Sequence, residues 1–384
     1  MILVLLIISL IFILPDLYIS LVLMRNTAWW THALVWLPTI VAISLIASVR
    51  FSGLSSVKME IFTGLLLCVA LPQLFFLVFS LIGQLLSTFN SQFSTFNYIG
   101  VAVGAVVSAA MLYGLLCGWK QLTVKHVDVT FDNLPAEFEG YRIAQLSDLH
   151  VGTYGRNTAY VERVVQRVNE EQADLVVFTG DIVNSTATEI APFEQTLSLL
   201  QARDGVMAVL GNHDYCMYGF GKRHADPHAD PHDGARQVVE AERRMGWQVL
   251  MNEHRLVARE GAQIAIVGVE NTGKPPFPEI GDLHGAMEGL PDSTFKILLS
   301  HDPSHWRREV LPDTDIPLML AGHTHAAQLK IGSWSPSQWL YDEWSGLYRQ
   351  GRQQLYVSEG TGGGIRFRLG TTPEIIVFTL HRAK

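Results

Sequence analysis

The sequence is poor in cysteine, with only three in 384 residues. Cys68 and Cys117 lie in apolar segments, and Cys216 lies far from both along the chain. No Cys-x-x-Cys pair is present, and three cysteines cannot build a framework of disulfides. The cysteine content therefore gives no indication of an oxidising compartment.

The N-terminal part of the chain is poor in charge. Residues 1–119 contain five acidic or basic residues, whose net charge is +1. Residues 120–384 carry the remaining −9, which brings the whole chain to −8. This acidic part argues against nucleic acid as the main partner, because a phosphate backbone is bound by stripes of Lys and Arg. The five charged residues are Asp16, Arg25, Arg50, Lys58 and Glu60.

The same part contains four apolar stretches, at about residues 1–24, 34–49, 61–86 and 98–119. The third and fourth exceed the roughly 18 apolar residues typical of a membrane-spanning helix, and the second carries no charge. The first is interrupted at Pro15, so a signal-peptide core is the alternative there. Because a basic start and a small-residue cleavage site are missing, we expect a retained span and about four transmembrane helices in residues 1–119.

The basic residues predict an orientation in the membrane. With four spans, Arg50, Lys58, Lys120 and Lys125 fall on one side and Arg25 alone on the other. Cytoplasmic loops carry the excess of Lys and Arg, so both termini and residues 120–384 are expected in the cytoplasm. If the first stretch does not span, or is cleaved, the count behind this prediction changes.

Asp16 is the one acidic residue inside a candidate span. A carboxylate within a membrane is by default a functional hypothesis. The alternative, which the sequence favours, is that Pro15 breaks the helix and Asp16 meets water or the lipid headgroups. The second to fourth stretches carry no ionisable ladder, so they predict an anchor or a lipid-facing platform and argue against an ion pathway.

Five short polar blocks follow in residues 147–325, several of them directly after an apolar run such as 174–178 or 297–299. Such runs are typical of buried strands, and an open sheet leaves a crevice at its strand ends. Carboxylates and neutral imidazoles without cysteine suit a divalent hydrolytic metal such as Mn, Fe or Zn. The blocks are Ser147-Asp148-Leu149-His150, Gly180-Asp181, Gly211-Asn212-His213-Asp214, Ser300-His301-Asp302 and Gly322-His323-Thr324-His325.

In this order, the blocks resemble the pattern of the calcineurin-like metallophosphoesterase superfamily. Asp181 lies 33 residues after Asp148, Asn212 follows after 31, His301 after 89 and His323 after a further 22. One block alone has a plainer interpretation, such as a turn or a helix cap, but five in register do not. The resemblance covers about residues 126–384. Segments 142–150 and 357–362 are similar to the bacterial membrane-associated subgroup with phosphodiesterase-like activity, which implies a bacterial inner membrane.

The resemblance implies two metal ions and a role for each polar residue. Asp181 would bridge the ions, a hydroxide held between them would attack phosphorus, and His213 would protonate the leaving group. Asp214 would hold His213 in its tautomer. We expect Mn, with Fe or Zn as alternatives. The remaining ligands would be Asp148, His150 and His325 for one ion, and Asn212, His301 and His323 for the other.

The resemblance also implies an α/β (α+β) fold of four layers, in which two mixed β-sheets are sandwiched between helices, at residues 120–384 after the transmembrane region. The patterning is compatible with this fold. Residues 158–170 and 192–201 predict helices, whereas residues 247–269 predict three successive strands. A plain doubly wound sheet would not interrupt its alternation in that way.

The function favoured by these features is a membrane-anchored phosphoesterase with a dinuclear metal site, acting on a phosphodiester or pyrophosphate bond. A phospholipid or a nucleotide-linked lipid would suit an enzyme tethered at a bilayer. The alternatives are a phosphomonoesterase of the same fold, a catalytically silent scaffold or regulatory module, and a transporter with a regulatory phosphoesterase. All seven ligand positions are filled, which argues against a silent module. The oligomeric state stays open.

Two further segments are unusual. Residues 222–233 repeat the tetrapeptide His-Ala-Asp-Pro, and His-rich tracts can bind metal; a solvated loop is the favoured interpretation. Residues 334–348 contain Trp339, Tyr341, Trp344 and Tyr348. They could contact headgroups or a lipid tail, although packing against their own domain is favoured.

Overall fold

The computed structural model describes residues 2–52, 56–87, 93–217, 232–275 and 277–383. The chain divides into two compact units, Met1–Cys117 and Gly118–Lys384. Most of the His-rich segment, residues 222–231, lies outside the described residues.

The first unit is helical. Helix α1 spans Ile2–Tyr18 and continues through a π-helical turn to Leu23. Helix α2 spans Trp29–Ser52, and α3, Ser56–Leu65, runs through a second π-helical turn into α4, Leu71–Ser87. Helix α5 spans Phe93–Leu116.

Three helical stretches in the described residues are long and apolar enough to cross a membrane: Trp29–Ser48, Val57–Leu86 and Thr95–Lys120. They coincide with the second to fourth predicted spans. Their outer faces expose large apolar side chains such as Leu85 and Val106, as expected of helices solvated by lipid. The first predicted span has a shorter apolar helix, Leu10–Leu23, so a fourth crossing stays a prediction.

The favoured interpretation of Asp16 was wrong. Helix α1 runs through Pro15, and Asp16 is fully buried. Its Oδ2 accepts a hydrogen bond of 2.6 Å from Thr39 Oγ1, and its Oδ1 accepts one of 3.1 Å from Gln73 Nε2. Neighbouring helices can satisfy polar groups that a proline leaves open inside a membrane, which the one-dimensional pattern does not reveal.

The second unit contains two mixed β-sheets, which confirms the predicted fold class. In its described residues, six strands form one sheet in the order β1-β12-β2-β3-β4-β5, and six form the other in the order β10-β11-β9-β8-β7-β6. The first six strands are β1 Thr123–Phe131, β2 Arg142–Leu146, β3 Leu175–Phe178, β4 Val206–Ala208, β5 Gln248–Val249 and β6 Glu253–Arg259. The others are β7 Ala262–Gly268, β8 Phe295–Leu299, β9 Leu318–Ala321, β10 Gly346–Gln350, β11 Gln353–Val357 and β12 Glu374–Arg382.

The sheets pack face to face because their strands are apolar on both sides. Val177 of β3 and Ile297 of β8 belong to one buried cluster between the sheets. Their strand neighbours point the other way: Val176 packs in one cluster with α6, Ala159–Glu170, α7, Glu194–Leu197, and α8, His232–Arg244. Leu298 packs in a third cluster with the short helix α9, Leu283–Ala286. The result is helices, sheet, sheet and helices.

Strands β2, β3 and β4 are mutually parallel in one sheet, and β7, β8, β9 and β11 are parallel in the other. Parallel strands end at a common edge, so the loops that follow them gather there. Each of the five polar blocks begins within three residues of the end of β2, β3, β4, β8 or β9.

Candidate metal centre

The loops after the two sheets are joined to each other at this edge. The backbone N–H of Asp148 donates to Gly180 O at 2.8 Å, which links the loops after β2 and β3. In the other sheet, the N–H of Gly322 donates to His301 O at 2.9 Å. The N–H of His323 reaches the Asp148 carboxylate at 3.1 Å. Segments far apart in sequence therefore deliver their side chains to one place.

Carboxylate oxygens and imidazole nitrogens converge between these loops. Oδ2 of Asp181 lies 3.2 Å from His301 Nε2 and 3.6 Å from His150 Nε2. His325 Nε2 lies 3.2 Å from Asp148 Oδ1 and 3.3 Å from His150 Nε2. His301 Nε2 is also 3.3 Å from the Nδ1 atom of the sixth residue, His323. One carboxylate, Asp181, thus faces both an imidazole of the first expected ligand group and one of the second.

Among the described residues, three sets of side chains place their ligand atoms within 4.8 Å of one another: Asp148–His150–His325, Asp181–His301–His323 and His150–Asp181–His213. The first has the same members as the first ligand group implied by the resemblance. The second contains His301 and His323 of the other group, with Asp181 in place of Asn212. Asn212 is buried. The backbone N–H of the next residue, His213, donates to Asp181 Oδ1 at 2.8 Å. The sequence-predicted residues therefore lie together.

Backbone carbonyls select the tautomer of two histidines. His150 Nδ1 donates to Val183 O at 3.1 Å, and His301 Nδ1 donates to Thr179 O at 2.7 Å. In the neutral form of both rings Nε2 is then the nitrogen with a lone pair, and it is the nitrogen that faces the carboxylates. This arrangement is how proteins orient imidazoles that bind metals. Such acceptors carry no side-chain signal, so sequence alone could not name them.

The backbone at the centre is unusual. Five of the seven predicted ligands have a left-handed conformation, with φ between 49° and 73°. This region is sparsely populated by residues other than glycine, and it is characteristic of sites where the surrounding structure enforces geometry at a cost of about 1–3 kcal/mol each. The five are Asp148, His150, Asp181, His323 and His325.

Two glycines of the polar blocks are required by a close approach of loops. Gly180 has a φ of 94°, and a Cβ atom there would lie 2.4 Å from the backbone nitrogen of Gly211. A Cβ atom on Gly211 would lie 2.2 Å from Asp181 Oδ1. Any larger side chain at either position would push the loops after β3 and β4 apart.

Burial and mutual charge shift the pKa values of the clustered groups in the metal-free protein. Burial favours a neutral His301, but Asp181 and Asp148 outweigh burial and raise its pKa to about 10. Burial raises the pKa of Asp148 to about 6, while His301 opposes the shift. The pKa of Asp181 lies well below its usual range because the surrounding imidazoles outweigh burial. Burial lowers the pKa of His150 to about 3 and that of His323 to about 4.

Asp214 has a different task from the one expected. Its two oxygens accept hydrogen bonds from the backbone N–H groups of Asp181, Ile182, Val183 and Gly211, at 2.7 to 3.2 Å. His213 Nδ1 instead donates to Asn184 O at 2.6 Å. The prediction that Asp214 sets the tautomer of His213 was therefore wrong. A short acid directly after His213 turns back toward the loop after β3, and only the folded backbone shows this.

Two regions of the sequence match known families. Residues 141–327 match the family described as "Calcineurin-like phosphoesterase". Residues 1–119 match the family described as "Probable Calcineurin-like phosphoesterase, transmembrane domain". The chain is a calcineurin-like phosphoesterase with an N-terminal transmembrane domain. The predicted resemblance is confirmed for residues 141–327, and the first 119 residues, predicted only to be a transmembrane region, match a transmembrane family.

Curated relatives of this phosphoesterase include proteins of bacteria and of a vertebrate. The "Uncharacterized metallophosphoesterase YkuE" of Bacillus subtilis is 29% identical over 72% of this chain and 94% of that protein. The "Transmembrane protein with metallophosphoesterase domain" of Danio rerio is 29% identical over 79% of this chain and 68% of that protein. The "UDP-2,3-diacylglucosamine pyrophosphatase LpxG" of Chlamydia muridarum is 24% identical over 73% of this chain and 98% of that protein.

The predicted enzyme class is confirmed: the chain is a membrane-associated, metal-dependent hydrolase of phosphoric esters. The residues present fit divalent metal ions. Hard oxygens and imidazole nitrogens converge, the imidazoles are oriented by carbonyls, and the Nδ1 atom of His325 is buried without a hydrogen-bond partner among the described residues. Manganese, iron and zinc all accept such donors.

Tyr341 is a site residue of this phosphoesterase that sequence reasoning missed. Its hydroxyl lies 2.7 Å from His323 Nε2, so that Nδ1 of His323 is the nitrogen left to face His301. The residue lies in the aromatic segment 334–348, where the sequence pattern indicated an apolar contact and not a bond to a histidine of the centre. Ser147, whose Oγ donates to Asp148 Oδ2 at 2.5 Å, had a clearer signal because it belongs to the first polar block.

Proposed function

We propose that this phosphoesterase uses two divalent metal ions to hydrolyse a phosphodiester or pyrophosphate bond. The ions would be held by Asp148, His150 and His325 on one side, by Asn212, His301 and His323 on the other, and by Asp181 between them. The single observation that carries this proposal is the position of Asp181 Oδ2, within 3.6 Å of His150 Nε2 and 3.2 Å of His301 Nε2. A carboxylate between two imidazole groups can serve two cations at once.

Bound metal ions would activate a water molecule for attack on phosphorus and offset the charge that develops on the phosphoryl oxygens. The chain contributes the geometry. Carbonyl-anchored imidazoles cannot turn away from the centre, and the four amide groups bonded to Asp214 hold the loop that carries Asp181. Little rearrangement is then needed when the substrate binds, which is how a preorganised site lowers a barrier.

His213 is suited to protonate the leaving group. Its ring stands edge-on to His150, with ring centroids 4.8 Å apart, and it is less buried than His150. Because Nδ1 donates to Asn184 O, Nε2 is the nitrogen that can carry a proton to an oxygen in the cleft. An imidazole exchanges protons readily near neutral pH.

We further propose Mn as the metal, a lipid-linked phosphate as the substrate and the cytoplasmic face of a bacterial inner membrane as the location. The transmembrane domain and the name of the LpxG relative, a pyrophosphatase of a diacylated sugar nucleotide, support a lipid-linked substrate. The excess of Lys and Arg on one side of the spans supports the cytoplasmic orientation. An impermeant reagent applied to sealed vesicles, with a single cysteine at exposed Arg352, would test that orientation.

The function is tested with the full chain in detergent, stripped of metal and then supplied with Mn. Hydrolysis of bis(p-nitrophenyl) phosphate and of p-nitrophenyl phosphate is compared for wild type and His213→Ala. We expect turnover of the diester only with metal, and a loss in kcat of roughly 10²–10⁴ in the variant with unchanged metal content. The matched control is His126→Ala, since that histidine is exposed and outside the centre.

Other outcomes would select an alternative. Preferential turnover of the monoester would indicate a phosphomonoesterase of the same fold. Two bound metals without turnover of either ester would indicate a silent regulatory module. An unchanged kcat in His213→Ala would remove that residue from the proposed mechanism while leaving the metal centre in place.

A further inference from the structure

Exposed apolar side chains in the second unit are concentrated in one segment. Among the described residues from 118 onward, the three most exposed large apolar side chains are Trp339, at 73%, Leu340, at 72%, and Ile331, at 66%. Leu199, Leu256 and Met217 are also exposed but lie in separate loops and strands. Ile331, Trp339 and Leu340 are called the apolar lip below.

The apolar lip is held in place by hydrogen bonds, so its exposure belongs to the folded state. Ile331 and Trp334 exchange two backbone hydrogen bonds, of 2.9 and 3.1 Å. The rings of Trp334 and Trp339 pack edge to face with centroids 5.4 Å apart. Ser335 Oγ donates to Ala326 O at 2.7 Å, directly after the ligand His325. An ordered backbone that presents Trp and Leu outward indicates a surface that meets an apolar partner.

The apolar lip adjoins the metal centre through the next residue in the chain. Tyr341 contacts His323 both through its hydroxyl, at 2.7 Å, and through its ring, with centroids 5.4 Å apart. Lys274 Nζ lies 5.6 Å from the centroid of the Tyr341 ring, and no carboxylate of the described residues lies within ion-pair distance of it. His323 is thus followed by Tyr341 with Lys274 beside it, and then by the apolar lip.

This order matches a membrane lipid seen from its phosphate toward its acyl chains. Tryptophan is enriched at membrane interfaces, and apolar side chains of peripheral segments bury themselves below the headgroups while Lys remains at headgroup level. The chain itself brings a bilayer within reach, because the last candidate span ends at Lys120 and β1 begins at Thr123. The geometry is therefore better suited to a lipid surface than to a soluble protein.

We propose that the apolar lip inserts into the outer acyl region of the bilayer and that the metal centre takes a phosphoester from the lipid surface. Lys274 would lie at the level of the phosphate headgroups. The proposal rests on the proposed hydrolytic function and adds to it that the lipid-linked phosphoester is bound while it is still embedded in the membrane. The favoured prediction for segment 334–348, packing against its own domain, then describes Tyr341, Trp344 and Tyr348 but not the lip.

The test compares two diesters with one leaving group. Full-length protein in phosphatidylcholine nanodiscs hydrolyses either soluble bis(p-nitrophenyl) phosphate or the p-nitrophenyl ester of phosphatidic acid, which is embedded in the disc. For Trp339→Ser/Leu340→Ser we expect kcat/KM on the embedded ester to fall about tenfold or more, with the soluble ester changed less than about twofold. The control Leu199→Ser/Leu256→Ser removes comparable exposed apolar area elsewhere and should change neither rate.

A second readout does not depend on turnover. A cysteine at position 340, in a chain whose native cysteines are replaced by alanine, is labelled with an environment-sensitive fluorophore. Doxyl-labelled lipids in the nanodisc should quench it at least about threefold more strongly than the same label at position 199. Quenching is measured in metal-free protein as well, because insertion needs no chemistry.

The outcomes separate the two proposals. Equal quenching at positions 340 and 199, or an unchanged ratio of the two rates in the lip variant, overturns the lipid contact. Protection of position 340 with cross-linking to a second copy or another protein, but without lipid quenching, assigns the lip to that partner and also overturns it. If wild type hydrolyses neither ester while position 340 is quenched, the proposed hydrolysis fails and the membrane contact stands.

Discussion

Asp16 of the transmembrane unit and Asp181 of the catalytic unit are both buried carboxylates, yet their surroundings differ in kind. Asp16 receives hydrogen bonds from two uncharged donors, Thr39 and Gln73. Asp181 faces the imidazoles of His150 and His301, with other carboxylates close by. Both carboxylate oxygens of Asp16 are therefore matched within the protein. The carboxylates and imidazoles around Asp181, by contrast, are suited to bind a cation as well as one another.

This difference separates a structural polar contact from a functional one. Buried polar groups with partners tie helices together and need nothing further. Clustered carboxylates and imidazoles without a cation have strongly shifted pKa values, as at Asp148 and His301. A bound cation would lower the electrostatic cost of holding these groups together. Metal binding should therefore stabilise the catalytic unit and leave the transmembrane unit unaffected.

The largest effect on activity should come from replacing the buried aspartate of the catalytic unit, with the buried aspartate of the transmembrane unit as the comparison. Asp181→Asn should lower kcat on a diester about a thousandfold and reduce the metal content, because an amide carries no negative charge to attract the cations. The isosteric change Asp16→Asn should leave both unchanged. Steady-state kinetics and metal analysis of the two purified variants measure this, and an active Asp181→Asn enzyme with full metal content would contradict the comparison.

Metal removal should distinguish the units by their stability. A cation present at about 100 times its Kd stabilises the folded state by about 2.7 kcal/mol. Chelation should therefore lower the unfolding temperature of the catalytic unit by several degrees, while a transition assigned to the transmembrane unit stays in place. Limited proteolysis on heating, read separately for fragments of the two units, tests this. An equal shift in both would show that they unfold together.

The pH dependence of metal binding follows from His301. Its pKa of about 10 in the metal-free protein means that the ring carries a proton at neutral pH, which a metal must displace. Affinity should thus rise about tenfold per pH unit between pH 7 and 10. It should fall more steeply below pH 6, where Asp148 also gains a proton. Calorimetric titration with Mn at several pH values measures the slope, and a flat profile would contradict the assignment.

The same group affects the stability of the metal-free protein in the opposite direction. A pKa raised from 6.5 to about 10 means that folded His301 binds its proton more tightly than the unfolded chain does. That contribution is fully present below pH 6.5 and is lost as the pH rises toward 10. Denaturant unfolding of the metal-free and metal-loaded catalytic unit should therefore diverge with increasing pH.

The smallest effect should be found at the polar contacts of the transmembrane unit. Thr39→Val keeps the shape of the side chain and removes its hydrogen bond to Asp16, which should cost about 0.6 kcal/mol, as is usual for hydrogen bonds between membrane helices. Unfolding in mixed micelles measures this, with Thr63→Val as a control at another buried threonine. A loss of catalytic activity in Thr39→Val would show that the transmembrane contact is functional after all.

The fold and the site could be predicted from the sequence where they depend on residues that are close together in the chain. Residues 158–170 were expected to be a helix and form α6, because their apolar residues recur at helical spacing. Residues 192–201 contain only a short α-helix, Glu194–Leu197, since packing and turns override a weak propensity. The clustering of Asp148, Asp181 and His301 was expected because each follows a strand.

What the sequence determined by itself is the chemistry available: spans without charge, and five blocks of oxygen and imidazole ligands at strand ends. Tertiary structure alone decided the partners. It placed carbonyls behind His150 and His301, turned Asp214 toward the loop of Asp181, buried Asp16 among neighbouring helices and set Tyr341 against His323. The type of a residue sets which bonds its side chain can make. The distance and direction between segments remote in the sequence are set only when the sheets and helices pack.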